Sequence, residues 1–345
     1  MPVSRCGTPL GRMATLVVLA LFAGPAGAAE APVDLRFSFW VPAAHALTLA
    51  TKVWAQDIDK QSGGALTVTM YPSEQLGKAF DHYDMARDGI VDIAYVNPGY
   101  QPGRFPVVAI GEIPFTFGDA RKGTQALDSW YRAYAEKEMK DTHFCMAFIH
   151  DPGTLHAKRK ITSPDELKGL KVRPAQGTIG QLVKQLGGTN VQASAPEARE
   201  VLDRGVADAI TFPWGSLILF GIDKVVKHHI DASLYTTVFT YNINKDKYTA
   251  LSPAQRAVLD AHCTTEWAVK IAGAWSEFEV AGREKLRADP SHHFYKLTSE
   301  EIAAWKAAAK PLDEKWADAA KKAGVDPEEA RAKLRAAIAE AGAAP

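Results

Sequence analysis

The chain has 345 residues, 47% of them hydrophobic and 23% charged, with 40 basic residues set against 40 acidic ones. That length accommodates two domains of ordinary size, and the composition is that of a globular protein with a packed core. The even charge balance, with no basic block, argues against nucleic acid or an anionic membrane surface as a partner.

"MPVSRCGTPLGRM" carries Arg5 and Arg12, "ATLVVLALFAG" is an apolar run, and "GPAGAAEAP" supplies small residues at an A-x-A-like cut. This pattern predicts a secretory signal peptide over residues 1–28, cleaved near Ala28 or Ala29. The apolar run is too short to remain as a membrane span. The mature chain is therefore expected to be exported and soluble, without direct membrane insertion. Cys6 precedes the apolar run and cannot be a lipid-bearing cysteine after the cut. Cys145 and Cys263 stay in the mature chain, as one disulfide or as two separate buried thiols; the residues alone favour the thiols.

From the mature start, strand-like and helix-like stretches alternate. "DLRFSFWV" puts Leu35, Phe37 and Phe39 on one face at period two, and Leu47, Thr51, Trp54 and Ile58 follow at helical spacing. "LTVTMYP", a helix through "KAFDHYDMARDGI" and the strand "VDIAYV" continue an α/β cadence with a largely parallel sheet. A second unit begins near "FCMAFIHDPG". "SPDEL" is a compact helix start, with Ser163 capping, Pro164 first and Glu166 closing the box. The strand "GLKVR", a helix over 178–186, the helix "APEAREVLDRG", the strand "VADAITF" and the alternating run "YTTVFTYNINKDKY" come next. "LSPAQ" opens a helix with no clear breaker before "ADP" at 288–290, so the spacing predicts some 35 residues, about 50 Å, bracing two domains. The tail "DPEEARAKLRAAIAEAG" reads as a polar surface helix.

No metalloprotease, hydrolase, redox-dithiol, dinucleotide or P-loop motif occurs. His228-His229 and His292-His293 are adjacent pairs, whose members point to different sides; solvated surface histidines are expected rather than a metal site. No catalytic constellation, metal site or cofactor is predicted. The one conspicuous charge is Arg173, where a short apolar strand meets its loop. A partly buried guanidinium cannot neutralise itself and needs an anion: a neighbouring Asp165 or Glu166, or one from outside.

Six segments in order, "FWVPAAHAL", "SGGALTVTMYPSEQLGKAFD", "MARDGIVDIAYV", "ITSPDELKGLKVR", "APEAREVLDRGVADA" and "YNINKDKYTALSPAQRAVL", resemble the DctP family. These are the periplasmic solute-binding proteins of TRAP (tripartite ATP-independent periplasmic) transporters. The resemblance implies a two-lobe α/β fold of the periplasmic-binding-protein type, with crossing strands and a long bracing helix. On that pattern lobe I takes residues 29–150 and 239–278, lobe II takes 151–238 and 279–330, and 331–345 form a C-terminal tail. It also implies a small-molecule carboxylate ligand, TRAP permease subunits as membrane partners, and no bond chemistry. An exported enzyme or a sensory ligand-binding protein on the same frame is the alternative.

The resemblance assigns Arg173 to the ligand carboxylate, through two charge-assisted hydrogen bonds. Trp40, Tyr95, Asn97 and Tyr100 match segments beside the family's cleft. Asn97-Pro98-Gly99 alternatively serves as a plain turn. His45 either contacts ligand or begins the first helix. Where many relatives carry an asparagine that orients the carboxylate, this chain has Phe212, with Trp214 beyond; both are candidates for the wall or for hinge core. A second arginine found in some relatives is missing from "HDPGTLHAK". Lost polar grip and added aromatic surface point to a small monocarboxylate with an apolar body: a keto, hydroxy or aromatic acid.

Overall fold

In the computed structural model, residues 1–4, 7 and 31–345 are described; the apolar run and cut of the expected export signal, and Cys6, lie outside them. Pro32–Pro345 form one unit built on two sheets. The described strands, in chain order, are β1 (Val33–Ser38), β2 (Leu66–Tyr71), β3 (Ile93–Val96), β4 (Thr142–Ile149), β5 (Thr154–Ala157), β6 (Lys171–Arg173), β7 (Thr189–Asn190), β8 (Ala209–Phe212), β9 (His228–Ile230), β10 (Val238–Asn244) and β11 (His293–Tyr295). One sheet has the order β2-β1-β3-β10-β4, the other β11-β9-β5-β8-β6-β7. β1 runs parallel to β2 and β3, and β6 parallel to β7 and β8, while β10 and β5 run against their neighbours.

The local logic follows the side-chain periods. Leu35 and Phe37 alternate inward from β1, and the helix Ala46–Gln61 lays Leu47, Thr51, Trp54 and Ile58 in the core. The chain crosses directly between sheets from β4 into β5 and from β9 into β10, and returns from β10 to β11 by way of helices. Gly153 and Tyr235 tie the crossings together, the Gly153 N–H donating to the Tyr235 carbonyl at 2.8 Å. A two-sheet α/β fold with crossing strands is thus what the alternating pattern builds.

Four details depart from the sequence reading. The expected continuous helix after "LSPAQ" is two: Pro253–His262, then Thr265–Ala288. Cys263 and Thr264 part them, Cys263 bonded to Cys145 on β4 and Thr264 accepting the Trp267 N–H as a new cap. The two cysteines are therefore one disulfide, with Cα atoms 4.5 Å apart, and not separate thiols. The second helix, about 36 Å long at 1.5 Å per residue, is the brace. A Cβ on Gly282 would come within 2.1 Å of the Gly215 Cα, so this brace touches the helix Trp214–Leu219 backbone to backbone. The tail helix Pro327–Ala341 is solvated on one face only. Ala330 and Leu334 are buried, and the Ala330 carbonyl accepts the Trp130 indole N–H at 2.9 Å.

The histidine pairs are the fourth departure. His293 is exposed and His228 half-buried, but His229 and His292 are buried. They join His156 in a chain whose direction is forced. The Phe212 carbonyl can only accept, so His156 Nε2 donates to it at 3.0 Å. His156 Nδ1 then accepts from His229 Nδ1 at 2.7 Å, and His229 Nε2 accepts from His292 Nδ1 at 2.8 Å. Lys227 Nζ closes the chain by donating to His292 Nε2 at 3.1 Å. Every ring is neutral and spent on both nitrogens. Adjacent residues do face opposite sides; one side here is the interior.

Candidate ligand-binding site

Ligands of open α/β sheets lie beyond the carboxyl ends of parallel strands, where loops diverge. Trp40 follows β1, Asn97 and Tyr100 follow β3, Arg173 ends β6 and Phe212 ends β8. The two sheets bring these four strand ends together around one small cavity of about 30 Å³. The lobes are closed over it. Tyr100 Oη accepts from Arg173 Nη2 at 3.1 Å and from Ala195 N at 2.8 Å, and Asn97 Nδ2 donates to the Ala175 carbonyl at 3.3 Å. A Cβ on Gly99 would lie 2.4 Å from the Gln176 Cβ, so only glycine permits this approach.

Arg173 is 1% exposed. Its Nε donates to the Ala193 carbonyl at 2.9 Å and its guanidinium carbon sits 5.6 Å from the Phe212 ring centre. Neither nearby acid neutralises it. Glu166 accepts the Thr162 and Ser163 N–H groups, which closes the predicted capping box, and pairs with Arg159 at 3.6 Å; Asp165 is exposed at the head of the same turn. Among the described residues no carboxylate lies within ion-pair distance of Arg173, and Nη1 makes no hydrogen bond. The protein spends two guanidinium nitrogens on neutral oxygens and pairs the charge directly with no acid, Glu197 acting on it only at longer range, which is costly unless an anion joins it.

The rest of the wall closes a circuit of rings. From Arg173 it passes Phe212, Phe220 at 5.6 Å from Phe212, and His45 at 6.4 Å from Phe220. It continues through Trp275 at 5.4 Å from His45, His150 at 5.5 Å from Trp275, and Phe239 at 6.0 Å from His150. Trp40 lies 6.2 Å from Phe239 and 5.9 Å from Tyr100, which returns to Arg173. Trp275 and His150 stand farthest around the circuit from the guanidinium. Arg173 is the one Lys or Arg among the described residues lining the cavity.

Six of the eight residues singled out from the sequence line this cavity: Trp40, His45, Asn97, Tyr100, Arg173 and Phe212. Tyr95 does not; it is buried in the first-sheet core, stacked on Phe39 at 4.5 Å and on the back of Trp40 at 4.7 Å. Trp214 does not either. Its side chain packs into the second sheet, stacked on Phe294 at 5.3 Å with the Arg283 guanidinium 5.5 Å from its ring. Neither follows from strand alternation, which would put residues two apart on one face: Asn97 lies beyond the end of β3, and Trp214 already belongs to the helix Trp214–Leu219. Phe220, Thr237, Phe239, Trp275 and His150 escaped the sequence reading. The alternating run at 235–244 marked Thr237 and Phe239 as one face of a strand, but nothing in it says which face meets a cavity.

His45 is spoken for. Its Nδ1 accepts the Leu47 N–H at 3.1 Å, capping the first helix, so Nε2 carries the proton and donates to Ser216 Oγ at 2.9 Å. Ser216 in turn donates to Glu279, which also accepts the Trp275 indole N–H at 2.6 Å. Burial pushes the His45 imidazole down to about 3 and the Glu279 carboxyl up to about 7. His45 therefore offers the cavity only a ring face. Asn97 is spent likewise, its Oδ1 accepting Gly99 N–H at 3.0 Å in the expected turn. A larger opening of about 80 Å³ between Gln101, Glu112, Thr178 and Trp316 carries no guanidinium. No metal-ligand cluster of three or more His, Cys, Asp or Glu occurs among the described residues.

Proteins of the same architecture are known. A TRAP solute-binding protein from Rhodoferax ferrireducens, solved with copurified benzoate, superposes with a TM-score of 0.84 at 28% identity, covering 90% of this chain and 98% of that one. One from Bordetella bronchiseptica, with bound (R)- and (S)-mandelate, matches with a TM-score of 0.84 at 30% identity over 90% and 99% of the two chains. A marine metagenome protein specific for aromatic acid ligands, solved with metahydroxyphenylacetate, gives 0.83 at 31% identity over 89% and 99%. Residues 37–319 match the bacterial extracellular solute-binding proteins of family 7. Two sheets joined by crossing strands, a closed cleft and this match agree: the chain belongs to the DctP family of TRAP solute-binding proteins.

Proposed function

We propose that this protein captures a small aromatic monocarboxylate in the periplasm, by closure of its two lobes, and delivers it to TRAP permease subunits in the membrane. The observation that carries the reading is the buried Arg173 guanidinium without a counter-ion, facing a cavity whose other walls are rings. A planar carboxylate supplies the missing charge and two parallel acceptors. The apolar body of the acid then replaces water against Phe212, Phe220, Phe239 and Trp275 at about 25 cal/mol per Å² of apolar surface removed. A single cation suits one carboxylate and leaves a second one unpaired. Acid bound this way holds Tyr100 of one lobe and Arg173 of the other in a common contact, so it favours the closed form. The benzoate, mandelate and metahydroxyphenylacetate bound by the similar proteins are acids of this class. No helix of the described residues is long and apolar enough to cross a membrane. The amino-terminal segment supplies the address for export.

Thermal unfolding of ligand-stripped protein tests this. Benzoate, mandelate and phenylacetate are expected to raise the melting temperature, since a ligand at 100 times its Kd stabilises by about 2.7 kcal/mol. Succinate and benzyl alcohol are expected to leave it unmoved. Stabilisation by succinate equal to that by benzoate overturns the assignment.

A further inference from the structure

The binding cavity holds polar atoms that the carboxylate site does not use. His150 follows β4 where the chain crosses to the second sheet, and it is 1% exposed. Its Nδ1 faces the Asp151 carbonyl, which only accepts, so Nδ1 carries the proton and Nε2 presents a bare lone pair. Burial holds the ring neutral, with its pKa pushed down to about 4. No hydrogen bond reaches Nε2 among the described residues. Val238 pairs with Ile149 at the end of β10, and Thr237 stands one step on, across from His150. Thr237 Oγ1 is buried and has no partner. Trp40 Nε1 is likewise buried without a partner, on the arc of the wall between Phe239 and Arg173.

Leaving a buried polar atom unpaired costs about 1–3 kcal/mol, and two such atoms around one small cavity, with the His150 lone pair beside them, are not incidental packing. Their chemistry differs. Trp40 Nε1 can only donate, which suits a carboxylate oxygen beside Arg173. His150 Nε2 can only accept and Thr237 Oγ1 does either, which suits a hydroxyl hydrogen. His150 follows β4 and Thr237 precedes β10 in the first sheet, whereas Arg173 ends β6 in the second.

We propose that His150 Nε2, supported by Thr237 Oγ1, is a specificity site that reads a hydroxyl on the ligand's apolar body, away from its carboxylate. The preferred class is then a hydroxylated aromatic acid rather than a bare one. This rests on the monocarboxylate reading above and adds a second recognised group to it. An acid without the hydroxyl leaves both polar atoms unpaired, so the site discriminates by what an incorrect ligand fails to satisfy.

The test is titration calorimetry of ligand-stripped protein with pairs of acids of equal shape: 3- and 4-hydroxybenzoate against 3- and 4-methylbenzoate, and the corresponding phenylacetates. A methyl group fills the hydroxyl's space and donates nothing. At least one hydroxy acid is expected to bind tenfold or more tightly than its methyl counterpart. His150→Phe is expected to erase that preference while retaining the methyl acid, and Thr237→Val to reduce it severalfold. The wild-type comparison stands by itself if His150→Phe fails to fold. Methyl acids that bind as well as their hydroxy partners overturn this inference alone. A preference that survives in His150→Phe overturns it as well. Failure of every acid, bare or hydroxylated, overturns the monocarboxylate reading and this one with it.

Discussion

Two regions of this molecule bury polar side chains at similar depth and treat them in opposite ways. In the histidine chain beneath the second sheet, every nitrogen from Lys227 to the Phe212 carbonyl has a partner, with separations of 2.7 to 3.1 Å. In the cavity wall on the other side of Phe212, the Arg173 charge, the Trp40 indole, the Thr237 hydroxyl and the His150 lone pair are left open. A satisfied buried network specifies structure, whereas an unsatisfied one is a cost the fold carries until something arrives. Histidine type and burial are the same in both regions. What separates them is the count of partners.

The sharpest way to break that comparison is Arg173→Ala. Two charge-assisted bonds at about 1.5–3 kcal/mol each imply a loss of affinity of at least 100-fold, measured by calorimetry with benzoate. Removing an uncompensated buried charge is expected to leave the ligand-free melting temperature unchanged or higher. Retained affinity would mean that the open guanidinium is not the anchor.

His229→Phe should do the reverse. It strands His156 Nδ1 and His292 Nδ1, at about 1–3 kcal/mol each. The melting temperature is expected to drop by several degrees with benzoate affinity within about threefold of wild type, because no atom of the chain faces the cavity except through the Phe212 backbone. A variant that melts as wild type would show that the pairing is ornamental.

The pH dependence of stability sharpens the contrast further. Burial holds His156 down to about 4 and keeps His229 and His292 below their ordinary value. The unfolded chain therefore takes up protons first as pH falls below 6.5, and stability present above 6.5 is lost from there towards pH 4. The slope is at most about 1.4 kcal/mol per pH unit for each ring. Glu112 and Glu279, pushed up to about 8 and about 7, have the opposite sign, their stabilisation being full below 4.5 and lost as pH rises through those values. The difference between wild type and His229→Phe isolates the histidines: chemical denaturation is expected to show the gap closing as pH falls from 6.5 to 4. A gap constant with pH would remove titration from the account.

The smallest effect belongs to Tyr100→Phe, at the border of the two behaviours. Its hydroxyl accepts from both Arg173 and Ala195 across the cleft. Its loss is expected to lower stability by about 1 kcal/mol and affinity by less than tenfold. A loss as large as that of Arg173→Ala would make Tyr100 a ligand contact in its own right.

Much of the frame was readable beforehand because its causes are local. The capping boxes at Ser163 and Ser252, the period-two face of β1 and the helical stripe through Trp54 each depend on residues a few positions apart. Arg173 could be singled out for the same reason: a permanent charge at a strand end is anomalous whatever surrounds it. The helix break at Cys263 could not, since it answers to Cys145, 118 residues away. Nor could the burial of His229 and His292, or the fate of His45, whose two nitrogens are taken by Leu47 and by Ser216 from the other lobe.

By itself the amino-acid order determined the α/β cadence, the element starts and stops, and which side chain would bring a charge that needs an anion. Those follow from periodicity, capping and ionisation, all of which act within a turn or a strand. Only the tertiary structure decided which polar groups find partners and which stay open, because a hydrogen bond is settled by what the opposite lobe places within 3 Å. The candidate site is the remainder after that pairing.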